Sequence, residues 1–153
     1  MKLVSTFFLS LFLIGCAATG EKYSGLKPPT SSESQVYIYR PYRFFQGGAW
    51  PTVFINGEEV ATLKNGGYIH YSLPPGNHAI KIGKKRMLSN WSMGDAQAST
   101  NTEIGKRYFY KLLVDPNDVG YIGGMVLVSG RARLVTVPED EAVLELRELK
   151  SSM

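Results

Sequence analysis

Few groups in this chain are equipped for chemistry. Cys16 is the only thiol, and His70 and His78 are the only imidazoles. One sulfur and two rings fall short of a structural zinc set, and a lone cysteine has no partner in the chain for a disulfide. Strand alternation also separates the two histidines. In Tyr68 to Leu73 the residues Ile69, Tyr71 and Leu73 share one face and leave His70 on the other, whereas His78 shares its face with Ile80 and Ile82. One ring is therefore expected to point inward and the other outward, sharing neither a metal nor a substrate. His78 follows the corner Leu73, Pro74, Pro75, Gly76, where sandwich folds place a ring whose polar atom bonds back to upstream backbone. No nucleophile elbow, phosphate loop or dinucleotide fingerprint occurs. The expectation is a protein that is not an enzyme and uses no metal or cofactor. A small hydrolase is the distant alternative, and it requires Asp95, Glu103, Asp115 and Asp118 to converge in space.

Two segments have the composition of contact surfaces instead. Tyr42, Arg43, Phe44, Phe45 and Trp50 put aromatics and a guanidinium on a loop with Gly47 and Gly48, the mixture found in interface hot spots and sugar-stacking platforms. The competing use is for Phe44, Phe45 and Trp50 to fold back as plugs for one end of a core, which suits Phe44 or Phe45 better than Tyr42 and Arg43. Lys84, Lys85 and Arg86 form a basic run beside Met87 and Trp91. Such a run attracts anionic headgroups at about 1 kcal/mol per cation, although a solvated turn is its commoner use.

Cys16 has its own context. Met1 and Lys2 precede an apolar run from Leu3 to Ile14, interrupted by Ser5, Thr6 and Ser10, which is too short to span a bilayer as a helix. It closes on Leu13, Ile14, Gly15, Cys16, Ala17, which resembles the lipobox of bacterial lipoproteins. The resemblance implies a signal peptide over residues 1–15, cleavage before Cys16, and acylation of its sulfur and new amine. At about 0.8 kcal/mol per buried methylene, two or more chains anchor stably. Ala17 in place of an aspartate points to the outer membrane, facing the periplasm. In that compartment the membrane is a partner and nucleic acid is not.

These residues need a frame, and the remaining sequence describes one. The 153 residues carry 17 Lys+Arg against 13 Asp+Glu, with charged residues at 20%, below the roughly 25% of average soluble chains and suited to one packed domain. Residues 16–34, ending in a Pro, Thr and Ser-rich stretch, read as the lipidated cysteine and a flexible tether reaching about 25 Å. Residues 35–137 carry twelve basic and six acidic residues, and residues 138–153 carry two and five, so the acidic tail is expected to dock on the basic domain.

Within 35–137 the pattern is short strands and turns: Val36 to Arg40, Thr52 to Ile55, Glu58 to Leu63, Tyr68 to Leu73, His78 to Ile82, Ser99 to Ile104, Arg107 to Val114, Met125 to Ser129 and Arg131 to Val137. Asn56 and Gly57 suit a type I′ hairpin, and Gly130 reads as a turn. About seven to nine strands argue for an all-β sandwich, immunoglobulin-like or prealbumin-like. Pro138 followed by Glu139, Asp140 and Glu141, then Ala142, Val143, Leu146 and Leu149 on one stripe, predicts a short C-terminal helix.

Val53 to Val60, Leu73 to His78 and Gly105 to Tyr110 recur in this order in two groups. The chain resembles PEGA-type carbohydrate-binding-like sandwiches and, more closely, a family of small bacterial envelope lipoproteins known only as a domain of unknown function. The resemblance implies a sandwich and no chemistry. The function expected is a lipid-anchored envelope lipoprotein that binds or scaffolds an envelope protein, with a glycan- or peptidoglycan-binding module using the aromatic loop as the alternative.

Overall fold

Strand β1 (Ser34–Arg40) is buried along all seven residues in the computed structural model, which describes residues 17–28, 30–85, 89–122 and 125–153. Among these are nine strands in two sheets and one helix. The larger sheet has the order β8-β7-β1-β4-β9 and the smaller the order β3-β2-β5-β6, so the chain is an all-β sandwich. The strands are β2 (Thr52–Ile55), β3 (Glu58–Thr62), β4 (Gly67–Leu73), β5 (Gly76–Gly83), β6 (Ala96–Thr102), β7 (Arg107–Ile122), β8 (Met125–Thr136) and β9 (Lys150–Ser151); the helix α1 is Glu139–Leu146. β1 runs antiparallel to β4 and parallel to β7.

Because side chains alternate along a strand, β1 divides the interior in two. Val36 and Ile38 face the smaller sheet and join Val53, Ile55, Leu63, Ile69, Ile80 and Ile82 in the inner core. Tyr37 and Tyr39 face the other way and join Phe109, Val137, Ala142, Leu146 and Leu149. The rings of Tyr37 and Phe109 stack 5.2 Å apart. α1 covers this outer face with Ala142 and Leu146, while Glu139, Asp140 and Glu141 occupy its first turn, where their charge complements the helix dipole. The acidic tail docks as expected: Arg107 pairs with Glu139 at 3.4 Å, and Lys111 pairs with Glu145. Tyr39 also donates its hydroxyl hydrogen to Glu145 at 2.5 Å.

The turns carry the marks their residues predicted. Asn56 and Gly57 both have positive φ, 52° and 86°. The Asn56 side chain then ties this corner to β5, accepting the Ala79 N–H at 3.0 Å and donating to His78 Nδ1 at 2.9 Å. His78 is buried, and its Nε2–H donates to the Pro74 carbonyl at 2.8 Å, the upstream backbone bond expected of it. His70 lies on the opposite face, its ring 4.8 Å from that of Tyr37, and donates to Gln35 Oε1.

Two expectations are corrected. Residues 17–27, expected within the flexible tether, pack along the domain. Ala18 N–H donates to Asn65 O at 2.9 Å, Ser151 N–H to Glu21 O at 2.8 Å and Tyr23 N–H to Leu149 O at 3.1 Å, while Tyr23 and Leu26 lie on the outer core. The reason is the short β9, whose backbone edge and neighbouring aromatic face need covering. Gly130 is inside β8 rather than at a turn, so the two strands expected over 125–137 are one. It faces Pro116 across a bulge, and a Cβ there would lie 2.8 Å from the Asp115 carbonyl oxygen and 2.7 Å from Met93 Sδ.

Burial alone would raise the Glu145 carboxyl, but hydrogen bonds from Lys111 and Tyr39, helped by the charge of Arg43, outweigh it and hold its pKa below the ordinary value. A carboxyl depressed in the fold stabilises it above its unfolded pKa, and that contribution is lost as pH falls through the folded value. Urea midpoints should therefore drop on acidification below the usual glutamate range. In Glu145→Gln this acid dependence should be shallower, and an unchanged slope would refute the linkage. Leu146→Ala, which empties a fully buried site beneath α1, should cost about 2–5 kcal/mol in the same measurement.

Candidate functional site

β1 ends at Arg40, and Pro41 blocks its continuation because proline has no N–H for the ladder. β7 pairs with β1 only through Lys111 and then runs on to Ile122. The place that β1 vacates beside Leu112 to Pro116 is bordered by Pro41, Arg43, Phe44 and Phe45 of the loop 41–50. This end of the sandwich holds most of the sequence-predicted contact residues.

Three side chains wire the loop in place. Asn65 is buried; its Oδ1 accepts the Arg43 N–H at 2.9 Å and its Nδ2 donates to the Arg43 carbonyl at 2.8 Å. Asn90 brackets the far end, accepting the Trp50 N–H at 3.1 Å and donating to the Gly48 carbonyl at 2.7 Å. Arg40 reaches up from the inner core, donating Nη1 to the Ala49 carbonyl and Nη2 to the Gln46 carbonyl, each at 2.6 Å. Gln46 sits in the left-handed region at φ 57°, a conformation that costs a non-glycine residue energy unless its surroundings hold it.

The loop so held splits its aromatics. Phe45 packs against the inner core, as the plug reading anticipates, but Phe44 is 97% exposed and Tyr42 is 67% exposed. Phe44 as a plug is thus corrected: with Phe45 and Trp91 already at this end of the core, its ring is left in solvent. Arg43, Phe44 and Phe45 line one cavity of about 320 Å³ together with Arg40 and the β7 residues Leu112 to Pro116. Trp50, 37% exposed, lies elsewhere, under the Lys64 ammonium at 5.8 Å. Tyr42 packs beside Gly66, next along the same turn.

Arg40 is the functional candidate that sequence reasoning missed. It is only 1% exposed and makes no ion pair among the described residues. Its Nε is buried with no hydrogen-bond partner. Its guanidinium lies 5.6 Å from the Trp91 ring, and burial pulls its pKa down to about 10, which leaves it charged at neutral pH. The available signal was its register: Val36, Ile38 and Arg40 share a face, so a strand with a buried inner face carries a cation into the core.

The other candidates are dispersed. Lys84 is exposed, Lys85 pairs with Glu59 at 2.9 Å, and Arg86 and Cys16 lie outside the described residues. Asp95 pairs with Lys81 at 3.7 Å and Asp115 with Arg133 at 2.7 Å. Among the described residues no three of His, Cys, Asp and Glu are placed to hold a metal ion, and no helix is long and apolar enough to cross a membrane.

Residues 30–125 match the profile of a protein family of unknown function, DUF2846. No curated protein and no solved structure matches the chain.

The two asparagine clamps differ in burial and should differ in worth. Asn65→Ala leaves a backbone N–H and carbonyl without partners at a buried site and should lower unfolding free energy by about 1–3 kcal/mol, while Asn90→Ala, at an exposed position, should cost about 1 kcal/mol or less. Urea denaturation of the two variants measures the difference, and equal costs would contradict the assigned roles.

Proposed function

The chain belongs to the DUF2846 family, and we propose that it is a lipid-anchored, non-catalytic binding module of the bacterial cell envelope, with the loop 41–50 as its contact end. The observation that carries this reading is rigid presentation. Phe44 is almost free of the protein surface and Tyr42 is largely exposed, yet the backbone between Arg43 and Trp50 is held by Asn65, Asn90 and Arg40. A large aromatic on a pre-ordered loop binds without first losing conformational entropy.

The motif Leu13, Ile14, Gly15, Cys16 supports the anchor, and the contacts of Ala17 support a direction for it. Ala17 pairs with Asn65, the residue that grips the loop. Acyl chains on Cys16 would therefore leave the domain beside the loop, with no long tether between. Tyr42, Phe44, Trp50, Arg43 and Lys64 would then lie at the bilayer surface, where aromatic rings and cations are at home. Ala17 in place of an aspartate favours the outer membrane, with the opposite end of the sandwich reaching into the periplasm. The second reading, a glycan or peptidoglycan platform, is favoured by Tyr42 and Trp50 flanking the Lys64–Gly66 turn.

Three measurements separate these readings. The native chain should incorporate labelled fatty acid and Cys16→Ser should not; equal labelling would remove the anchor. In lipidated protein on vesicles, Phe44→Cys should react slowly with a water-soluble maleimide, whereas Ile104→Cys, at the other end of the sandwich, should react quickly. Equal rates would remove the bilayer contact. Retention of the Cys16→Ser chain on isolated sacculi, lost in Tyr42→Ala/Trp50→Ala, would favour the glycan platform.

A further inference from the structure

Arg40 presents a problem that the binding-loop reading does not solve. A buried cation is ordinarily matched by an acid, because removing a guanidinium from water is costly. Among the described residues Arg40 has only two carbonyls and an aromatic face. A guanidinium carries five N–H donors, and the two carbonyls use one on each Nη. That leaves the Nε–H and one hydrogen on each Nη, the set from which a planar fork grips two oxygens of one anion.

The surroundings fit such an anion. Arg40 forms part of the wall of the 320 Å³ cavity, and so does Arg43, which makes no ion pair among the described residues. The acid on the wall, Asp115, is already spent on Arg133 at 2.7 Å. Phe45 and Val114 supply an apolar wall, with the exposed Phe44 at its rim. The volume stands at the lower end of small-molecule sites, enough for a head group and a short body.

We propose that this cavity is a binding site for a small ligand that joins an oxyanion head, carboxylate or phosphate, to an apolar body. The head would lie against Arg40 and Arg43 and the body against Phe44 and Phe45. This deepens the assignment of the loop 41–50 as the contact end and rests on it, though it does not depend on the lipid anchor. A bound anion would supply the charge that Arg40 lacks and, once the loop shifts to admit it, use the Nε–H that is buried here, so occupancy should also change the loop whose carbonyls Arg40 holds.

The test uses the full chain carrying Cys16→Ser, labelled with ¹⁵N-arginine, and three probes at constant ionic strength: hexanoate, hexyl phosphate and hexanamide. An anionic probe should shift the Arg40 Nε–H resonance and slow its exchange with water, while the neutral amide should not. Arg40→Lys keeps the charge but loses the fork and should weaken binding about tenfold or more. That variant also disturbs the loop, so Arg43→Gln, which leaves the Arg40 bonds intact, provides the second arm and should weaken binding about threefold because its charge is exposed. The tighter of the two anions identifies the head group. An equal response to hexanamide, or no response to any probe, overturns the proposal. If Phe44→Cys is still shielded on vesicles or sacculi are still retained, the contact-end reading survives that failure; if those are lost as well, both fall.

Discussion

Complete burial of β1 is the constraint from which the rest of this structure follows. A strand at the edge of a sandwich needs only one apolar face, but β1 lies between β4 and β7 and is closed over on both faces. Its sequence meets that demand with two side-chain sets. Val36 and Ile38 are compact and fill the space between the sheets, while Tyr37 and Tyr39 are long and need a polar end point. Tyr39 finds Glu145, and Tyr37 accepts the Lys27 N–H at 2.7 Å. A buried tyrosine hydroxyl without such a partner would forfeit its hydration for nothing. The second pair of residues therefore explains why the larger sheet is covered by α1 on one part and by the segment 17–27 on another.

The legibility of the fold divides along the same line. Local signals locate the elements well: Asn56–Gly57 places the β2–β3 hairpin, the pattern over Thr52 to Ile55 has the bounds of β2, and the stripe Ala142, Val143, Leu146, Leu149 places α1, which ends at Leu146. What failed depended on partners distant in sequence. Gly130 looks like a turn until Phe45, Met93 and the Asp115 carbonyl are seen pressed against it. Residues 17–27 look like a linker because their small and polar composition says nothing of β9, whose two residues carry no strand signal of their own. The site shows the same split. The loop 41–50 was legible from its aromatics, but which ring is plug and which is platform depends on how Arg40, Asn65 and Asn90 pin the backbone. No spacing rule reveals those bonds.

The pinning also bears on why an arginine occupies position 40. An apolar residue of similar length would fill the end of the inner core without desolvating a charge, and such replacements are often neutral or stabilising. Arg40 does fasten the loop through two carbonyls, yet neutral donors such as the amides of Asn65 and Asn90 perform the same task nearby. Fastening therefore accounts for hydrogen bonds and leaves the charge unexplained. Nor does an acid among the described residues balance it, since Asp115 is taken by Arg133 and Glu145 by Lys111 and Tyr39.

A charge with no ion-pair partner among the described residues is best accounted for by one that arrives from outside. The same guanidinium holds Gln46 in its left-handed conformation and looks onto the cavity behind Phe44. Loop shape and anion occupancy thus share one side chain. Thermodynamic linkage then requires that whatever binds Arg40 also changes the stability of the loop, and that whatever restrains the loop changes the affinity at Arg40 by the same factor. Contact at Tyr42 and Phe44 would be such a restraint, so the exposed and buried halves of this end of the sandwich are coupled through Arg40 rather than merely adjacent.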